Sequence, residues 1–443
     1  MRNNREGQTL IGVLISLAIL LILAQALFTL INTSYQFVGF NRSRIAARHL
    51  AQERIELIRN LPYDDIGTVG GIPSGTLPQE ESVVQNGLSY TIRTSIVYID
   101  DEFDGQAPDD LLPVDYKRAR VEVSWGGITP SRNGPIVLTT DIAPQGIETT
   151  EGGGTLSILV FDANALPVAQ ADVRIEAGSL DPAIDLELQT NDNGRIILPG
   201  TPICTDCYTI TVTKEGYSSD KTYSTAEVAN PAKPLQSIIE GEVTEISFAI
   251  DRVSSIALST FNDRETGFTP RPSTQLIVRG EKSIGTDIDD LPVYKYSENI
   301  ITDTNGEFLL ESLEWDNYHV EFFDADSITF AGSNPAVPLA VLPNTEYTLS
   351  VTTSTKTPHS YLGYITNGAD PIASASATLR NLPDYTEKKF TGIENDPDYG
   401  YVFFSDLETA VYDLIATASG YVDFSGTTSI SGNKTETTTL TPE

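Results

Sequence analysis

The side chains best suited to chemistry in this chain are three histidines, two cysteines and several clusters of carboxylates. The histidines, His49, His319 and His359, lie far apart in the sequence and offer little for acid–base catalysis. No Ser-His-Asp, Cys-His or HExxH arrangement is present in the sequence. Among 61 acidic residues, no pair stands out as the two carboxylates of a glycosidase. The sequence therefore predicts a protein that is not an enzyme.

The two cysteines, Cys204 and Cys207, are separated by two residues. A zinc site would need further ligands, and no histidine lies near them in sequence. A redox site of the CxxC type would be expected in a βαβ context, whereas β patterns surround this pair. In an exported protein, a local disulfide that holds the turn before Tyr208 is the expected state. We predict that disulfide, with a redox site as the alternative.

One acidic cluster approximates the start of a calcium-binding loop. Asp100, Glu102 and Asp104 place oxygen ligands at alternate positions, and Gly105 stands at the sixth position. The twelfth position is Leu111, so the closing bidentate carboxylate is missing. We predict no cofactor, and calcium at this loop remains the alternative to a solvated acidic loop.

The composition favours an exposed protein with folded cores. The formal net charge is −33, and such a surface repels nucleic acid and anionic lipid while it keeps a protein soluble. Hydrophobic residues make up 40% of the chain, which is enough for packed domains, so the acidity does not indicate disorder. We therefore expect no nucleic-acid partner.

The elements that must carry these residues begin with an uncharged apolar run at 10–31. At ~1.5 Å per residue, a helix of this length crosses the ~30 Å hydrocarbon core of a bilayer. No small-residue cleavage site of the secretory type follows the run. Apolar residues then recur at three- and four-residue spacing until Pro62. We predict one helix over 8–61, half in the membrane and half against a soluble head.

The residues before the apolar run carry a family resemblance. A short basic leader over 1–7 ends at Gly7 and is followed by Gln8-Thr9-Leu10-Ile11, which resembles the N-terminus of type IV prepilins and pseudopilins. The resemblance implies cleavage between Gly7 and Gln8 by a prepilin peptidase and N-methylation of Gln8. It also implies a precursor in the bacterial cytoplasmic membrane, the inner membrane, with its N-terminus inside. The helix would later pack against other pilin subunits, at the cell surface or in a pilus filament.

Two positions depart from that family. Gln8 stands where phenylalanine is usual, and Gly12 stands where the family has a glutamate. In the family, the glutamate is paired with the N-terminal amine of the adjacent subunit, because an unpaired carboxylate in the membrane is costly. Gly12 cannot form this pair. A minor subunit at the filament tip is expected on this ground, and a drifted pilin is the alternative.

The region after the helix has a β pattern. Polar and apolar residues alternate over 89–98 and 116–125, and 134–140 supplies a third candidate strand. Three strands against one helix predict a small α+β pilin head over 62–147. A glycine-rich, polar linker over 148–154 marks its end.

The remaining chain is too long for one β-sandwich of ~100 residues and contains a repeated pattern. Each repeat has an Asn- or Asp-rich turn that ends in glycine, then an apolar strand and a tyrosine; the turns are 190–194, 302–306 and 396–400. These repeats resemble carboxypeptidase-regulatory-like, transthyretin-like β-sandwich modules, which implies stalk or ligand-contact domains without catalytic residues. We predict three modules, over 155–252, 253–356 and 357–443.

Together these features predict a multidomain protein with a long N-terminal transmembrane α-helix, a small α+β pilin head and tandem all-β sandwich modules. The function expected from the resemblance is a minor, tip-located type IV pilin-like subunit that presents extracellular modules for adhesion or filament initiation. The alternatives are a pseudopilin of a type II-like secretion system and a membrane-anchored surface protein that does not assemble. The sequence does not name the extracellular ligand.

Overall fold

The computed structural model describes residues 6–99, 115–126, 134–144, 153–323 and 327–443, with side chains described from residue 14 onward. The described residues form one long helix, α1 (Glu6–Arg59), followed by strands in several sheets. Two short 3-10 helices lie at Tyr63–Asp65 and Arg264–Thr266. The predicted order, an N-terminal helix followed by tandem β structure, is confirmed at this level.

The two halves of α1 have different surroundings. From Leu14 to Val38 every side chain is exposed, and this half contains the one described segment apolar and long enough to span a membrane. In the second half, Ala47, Ala51 and Ile58 are fully buried. The helix ends at Arg59, before Pro62, because proline cannot continue the hydrogen-bond ladder.

The buried half of α1 packs on an antiparallel sheet of order β1-β2-β3-β4. Its strands are β1 (Glu80–Gln85), β2 (Leu88–Ile99), β3 (Tyr116–Trp125) and β4 (Ile136–Ile142). The last three correspond to the three predicted strands, whereas β1 is an edge strand whose polar sequence concealed it. Asn86 and Gly87, with φ of 52° and 78°, join β1 to β2 in the turn that a two-residue hairpin requires. We call α1 from residue 39 together with this sheet the helix–sheet unit.

Module 1 follows, with two facing sheets of order β13-β5-β8 and β10-β9-β6-β7. Its strands are β5 (Gly154–Phe161), β6 (Asp172–Ala177), β7 (Ile184–Gln189), β8 (Arg195–Thr201), β9 (Cys204–Thr213), β10 (Asp220–Lys221), β11 (Asn230–Pro231), β12 (Gln236–Ile238) and β13 (Val243–Ala249). Alternate residues of the two sheets, such as Ile158 and Ile175, are fully buried in one core.

Module 2 has sheets of order β19-β14-β23-β21 and β18-β15-β20-β22. Its strands are β14 (Ser254–Asn262), β15 (Gln275–Arg279), β16 (Ser283–Thr286), β17 (Pro292–Tyr294), β18 (Ser297–Ile301), β19 (Glu307–Leu313), β20 (Asp316–Glu321), β21 (Ile328–Asn334), β22 (Leu339–Val341) and β23 (Glu346–Thr355). Ile256 and Leu276 belong to its core.

Module 3 has sheets of order β27-β24-β30 and β26-β25-β28-β29. Its strands are β24 (Ser360–Thr366), β25 (Ser376–Asn381), β26 (Tyr385–Phe390), β27 (Tyr401–Phe404), β28 (Ala410–Thr417), β29 (Phe424–Ile430) and β30 (Asn433–Thr439). Phe404 and Leu414 belong to its core.

The three modules share one plan. In each, the first strand pairs in parallel with the last strand and antiparallel with the strand after the glycine turn. At Gly194, φ is 69° and a Cβ would lie 2.4 Å from the Val160 carbonyl oxygen, so the turn requires glycine. The repeated tyrosines, Tyr208, Tyr318 and Tyr412, are buried and donate their hydroxyls to backbone carbonyls 2.7, 2.8 and 3.1 Å away.

Candidate functional site

The cysteine pair and the histidines that the sequence offered for chemistry do not come together in the described part of the structure. Cys204 and Cys207 form a disulfide at the start of β9, with their Cα atoms 6.0 Å apart. Asp100, Glu102 and Asp104 lie outside the described residues. Within the described ranges, no group of three or more His, Cys, Asp or Glu side chains is arranged to hold a metal ion.

The histidines also lie apart. His319 Nε2 is 2.8 Å from Glu281 Oε1 on module 2, and His359 Nε2 is 3.1 Å from Thr409 Oγ1 on module 3. His49 is exposed on α1. Each of the two module histidines therefore faces a local polar partner within its own module.

The structure instead concentrates charge at the junction of modules 2 and 3. A cleft of about 430 Å³ lies there, between Arg264 and Ser354 of module 2 and Lys389, Phe390 and Tyr401 of module 3. We call it the module 2–3 cleft. Two of its cations, Arg264 and Lys389, face carboxylates across the junction, so the arrangement joins two domains.

Arg264 is the centre of this junction. Its Nε lies 3.1 Å from Asp398 Oδ2, its Nη2 contacts Asp398 Oδ1, and Nη2 also lies 2.9 Å from Asp396 Oδ2. Arg264 is the first residue of the 3-10 helix Arg264–Thr266. The residue before this helix, Asp263, accepts a hydrogen bond from the Thr266 backbone N–H and so fixes the turn that carries the arginine. A fork-shaped guanidinium matches a carboxylate in this two-point geometry.

Asp398 is buried, with 7% of its surface exposed. Burial raises the pKa of its carboxyl, and the ion pair with Arg264 opposes that shift. A Cβ at position 392 would lie 2.4 Å from Asp398 Oδ1, so Gly392 is needed for the carboxylate to fit.

Further contacts cross the same junction. Lys389 Nζ lies 2.6 Å from Glu265 Oε1, and Asn334 Nδ2 donates to the carbonyl oxygens of Glu394 and Asp396 at 2.8 and 2.9 Å. The Phe330 and Tyr401 rings meet edge to face with centroids 6.0 Å apart.

Modules 1 and 2 are joined by strand pairing. The short strand β11 of module 1 pairs antiparallel with β16 of module 2, and Ala232 N–H donates to the Ile284 carbonyl at 2.9 Å. Gly285 is required here, because a Cβ at this position would lie 2.2 Å from the Asn230 carbonyl oxygen.

The helix–sheet unit and module 1 share apolar side chains. Ile72, in the segment between α1 and β1, and Tyr98 of β2 are 2% and 4% exposed and belong to the core of module 1. The Asp185 backbone N–H also donates to the Gly70 carbonyl at 2.8 Å. Sequence reasoning missed all three junctions, since their partners, such as Arg264 and Asp398, lie far apart in the chain and no local pattern marks them.

Lys117 on β3 is a buried cation near the junction between the helix–sheet unit and module 1. Its side chain is 1% exposed, its Nζ donates to the Tyr63 carbonyl at 2.9 Å and lies 4.4 Å from the Tyr63 ring centroid. Burial lowers the pKa of Lys117 to about 8, while Asp64 and Asp65 oppose the shift.

Comparison with known proteins gives remote structural likenesses. No protein-family model and no curated relative matches the chain. The TIE protein of Bacillus anthracis has 12% identity and a TM-score of 0.19, covering 82% of this chain and 73% of its own. The minor pilin of the Gram-positive pathogen Streptococcus agalactiae has 12% identity and a TM-score of 0.22, and the match covers 46% of this chain and 97% of that pilin. A variant of the major pilin subunit of Bacillus cereus has 10% identity and a TM-score of 0.17, and the match covers 65% of this chain and 99% of that pilin.

These comparisons correct the family prediction. The pilins among them come from Gram-positive bacteria, and no family model supports a prepilin-type N-terminus or the carboxypeptidase-regulatory-like repeats, so both assignments are wrong. At these TM-scores, the likenesses carry no functional argument. They also do not identify the helix–sheet unit as a pilin head.

The N-terminal pattern explains why the prediction of a prepilin was wrong. A basic segment before an apolar helix is common to membrane anchors and export signals, and Gln8 and Gly12 occupy the two positions that would have been most specific. A prepilin peptidase, cleavage after Gly7 and N-methylation of Gln8 rested on the resemblance alone. The backbone of these residues belongs to α1, and their side chains lie outside the described part.

Proposed function

We propose that this protein is a membrane-anchored surface protein with a pilin-like role, which displays tandem β-sandwich modules outside the cell for adhesion. The exposed apolar half of α1 supports the anchor, because an uncharged helix of this length is stable in a bilayer and costly to leave in water. The buried half of the same helix supports a rigid attachment, because it supplies the core of the first folded unit.

The observation that carries the proposal is the unbroken series of packed junctions from α1 to module 3. A shared apolar core joins the helix–sheet unit to module 1, paired strands join module 1 to module 2, and the Arg264 ion pairs join module 2 to module 3. A display protein needs such junctions, since freely hinged domains would not hold a binding surface at a defined distance from the membrane.

Charge supports the extracellular placement. A net charge of −33 keeps tandem domains soluble and limits non-specific association with nucleic acid and anionic lipid. We propose a binding role without catalysis, because the paired charges of the module 2–3 cleft are already committed to the junction.

The test is surface labelling of the full-length protein in intact bacteria. Ser431 lies in the exposed turn between β29 and β30, so Ser431→Cys provides a thiol on module 3 for a membrane-impermeant maleimide. We expect labelling of intact cells, and retention of the protein in the membrane pellet after alkaline carbonate extraction. Labelling that appears only after permeabilisation would place module 3 inside the cell and reject the proposal.

Adhesion is tested on the same cells. Bacteria that display the protein should be retained under flow on an extracellular-matrix coating more strongly than bacteria that lack it. Equal retention on every coating, with surface display established by the label, would leave the anchor in place and reject adhesion.

A further inference from the structure

The membrane half of α1 carries a seam with a polar centre. Ile15, Ala18, Ile22, Gln25 and Thr29 follow one another at alternating three- and four-residue spacing, so they lie along one face of the helix. All five are exposed. A groove lined by residues that include Ile22, Gln25 and Thr29 runs beside this face.

The polar side chains of this face differ in their hydrogen bonding. Thr29 Oγ1 donates to the Gln25 carbonyl, and Thr33 Oγ1 donates to the Thr29 carbonyl, each at 2.8 Å. Both hydroxyls are therefore satisfied inside the helix. The Gln25 carboxamide makes no hydrogen bond with any described residue. In hydrocarbon, where water is absent, this group requires a partner from another helix.

The seam continues into an interface that the chain already makes. Extended at the same spacing, it reaches Ser43, Ala46 and Leu50, which are 3%, 8% and 8% exposed beneath the sheet. The upper part of one helix face is thus covered by the protein's own domain. The lower part, which holds Gln25, has no described cover.

We propose that two copies of this protein associate in the membrane through this seam, with the two Gln25 carboxamides hydrogen-bonded to each other. A carboxamide has both donors and an acceptor, so a second copy related by two-fold symmetry satisfies it without another chemical group. Both copies enter the membrane in the same direction, which brings the two Gln25 residues to the same depth. The inference rests on the membrane anchor of the proposed function.

The residues around Gln25 also set how the helices cross. Alternating three- and four-residue spacing packs as in a left-handed coiled coil, with a crossing angle of about 20°. The helices then diverge above the membrane. This divergence is necessary, because from Ser43 onward the same face of each helix is occupied by its own sheet.

The test is cysteine cross-linking of the full-length protein in native membranes. Thr29→Cys places a thiol on the seam, and Leu27→Cys places a matched thiol on the opposite face; the native cysteines are joined in a disulfide. We expect oxidation to give a cross-linked species with twice the protein's mass from Thr29→Cys and little from Leu27→Cys. Adding Gln25→Leu to Thr29→Cys should lower the cross-linked fraction about fivefold, whereas Gln25→Asn should retain more of it.

The possible outcomes separate the two proposals. Equal cross-linking from both faces, or a Thr29→Cys yield unchanged by Gln25→Leu, would overturn the seam while leaving the anchor intact. A cross-linked product whose mass shows a different protein would overturn the second copy as the partner. Loss of the protein from the membrane pellet in the parent cysteine variants would reject the anchor itself.

Discussion

Counted from α1, the first and third junctions of this protein join domains by opposite means. Between the helix–sheet unit and module 1, Ile72 and Tyr98 enter an apolar core. Between modules 2 and 3, Arg264 binds Asp396 and Asp398 at the side of a cleft. The first junction depends on area removed from water, whereas the third depends on paired charge.

The difference predicts how each junction responds to its surroundings. Apolar burial is nearly independent of pH and moderate salt, while ion pairs lose strength when a partner is protonated, removed or screened. The junction nearest α1 should therefore be the more robust, and the junction between modules 2 and 3 the more sensitive. The following substitutions test this contrast.

Tyr98→Ala should have the largest effect. The ring is 4% exposed and fills the core of module 1, so its removal should lower the free energy of opening of that module by about 3–5 kcal/mol. Hydrogen exchange of the β5 and β8 amides measures this loss. Tyr116→Ala, which removes a half-buried ring from β3, is the matched control and should change it by less than about 1 kcal/mol. Equal effects of the two variants would contradict the shared core.

Lys117→Met should show how much the buried cation near the junction of the helix–sheet unit and module 1 lowers the free energy of unfolding. The folded-state pKa of Lys117 is lowered to about 8 from 10.5, so between these values the unfolded chain binds more protons and stability rises with pH. The shift corresponds to a penalty on the order of 3 kcal/mol below pH 8, which the substitution removes. Trp125 fluorescence during denaturant unfolding reports on this unit.

For this variant we expect a gain of about 1–3 kcal/mol at pH 7, because the lost hydrogen bond to Tyr63 offsets part of the relief. The difference from the native protein should shrink between pH 8 and 10.5. A difference that is constant over this range would show that the charge of Lys117 has no cost in the fold.

Arg264→Met should weaken the junction between modules 2 and 3 by about 2 kcal/mol, since it leaves the buried carboxyl of Asp398 without its cation. Faster hydrogen exchange at the β27 amides measures the loosening. Asp398→Asn added to Arg264→Met should recover part of the loss, because no buried charge is then left unpaired. Arg380→Met removes a more exposed pair with Asp413 and is the control. An Arg264→Met effect as small as that of Arg380→Met would contradict the role of the ion pair.

Lys389→Met should have the smallest effect, about 0.5 kcal/mol, because its partner Glu265 is 71% exposed and the pair is screened by salt. The same exchange measurement at low and high salt separates the variants. The hydrogen-exchange rates of the native protein and of Lys389→Met should become equal as the salt concentration increases. An effect independent of salt would indicate packing of the lysine stem as its cause.

The sequence by itself determined the elements with a local period. An uncharged run predicts the membrane helix, apolar spacing carries that helix to Pro62, and glycine turns followed by a buried tyrosine mark the repeated plan of the modules. It could not support the family assignment, because a basic segment before an apolar helix is shared by many unrelated anchors.

Only the tertiary structure decided which distant residues meet. Arg264 and Asp398 are 134 positions apart, and Tyr98 enters the core of a module whose first strand begins at Gly154. A local pattern records which face of a strand is apolar, but it does not record which neighbouring domain covers that face. The junctions depend on how folded surfaces come together, so neither the ion pairs nor the shared core could be predicted from spacing along the chain.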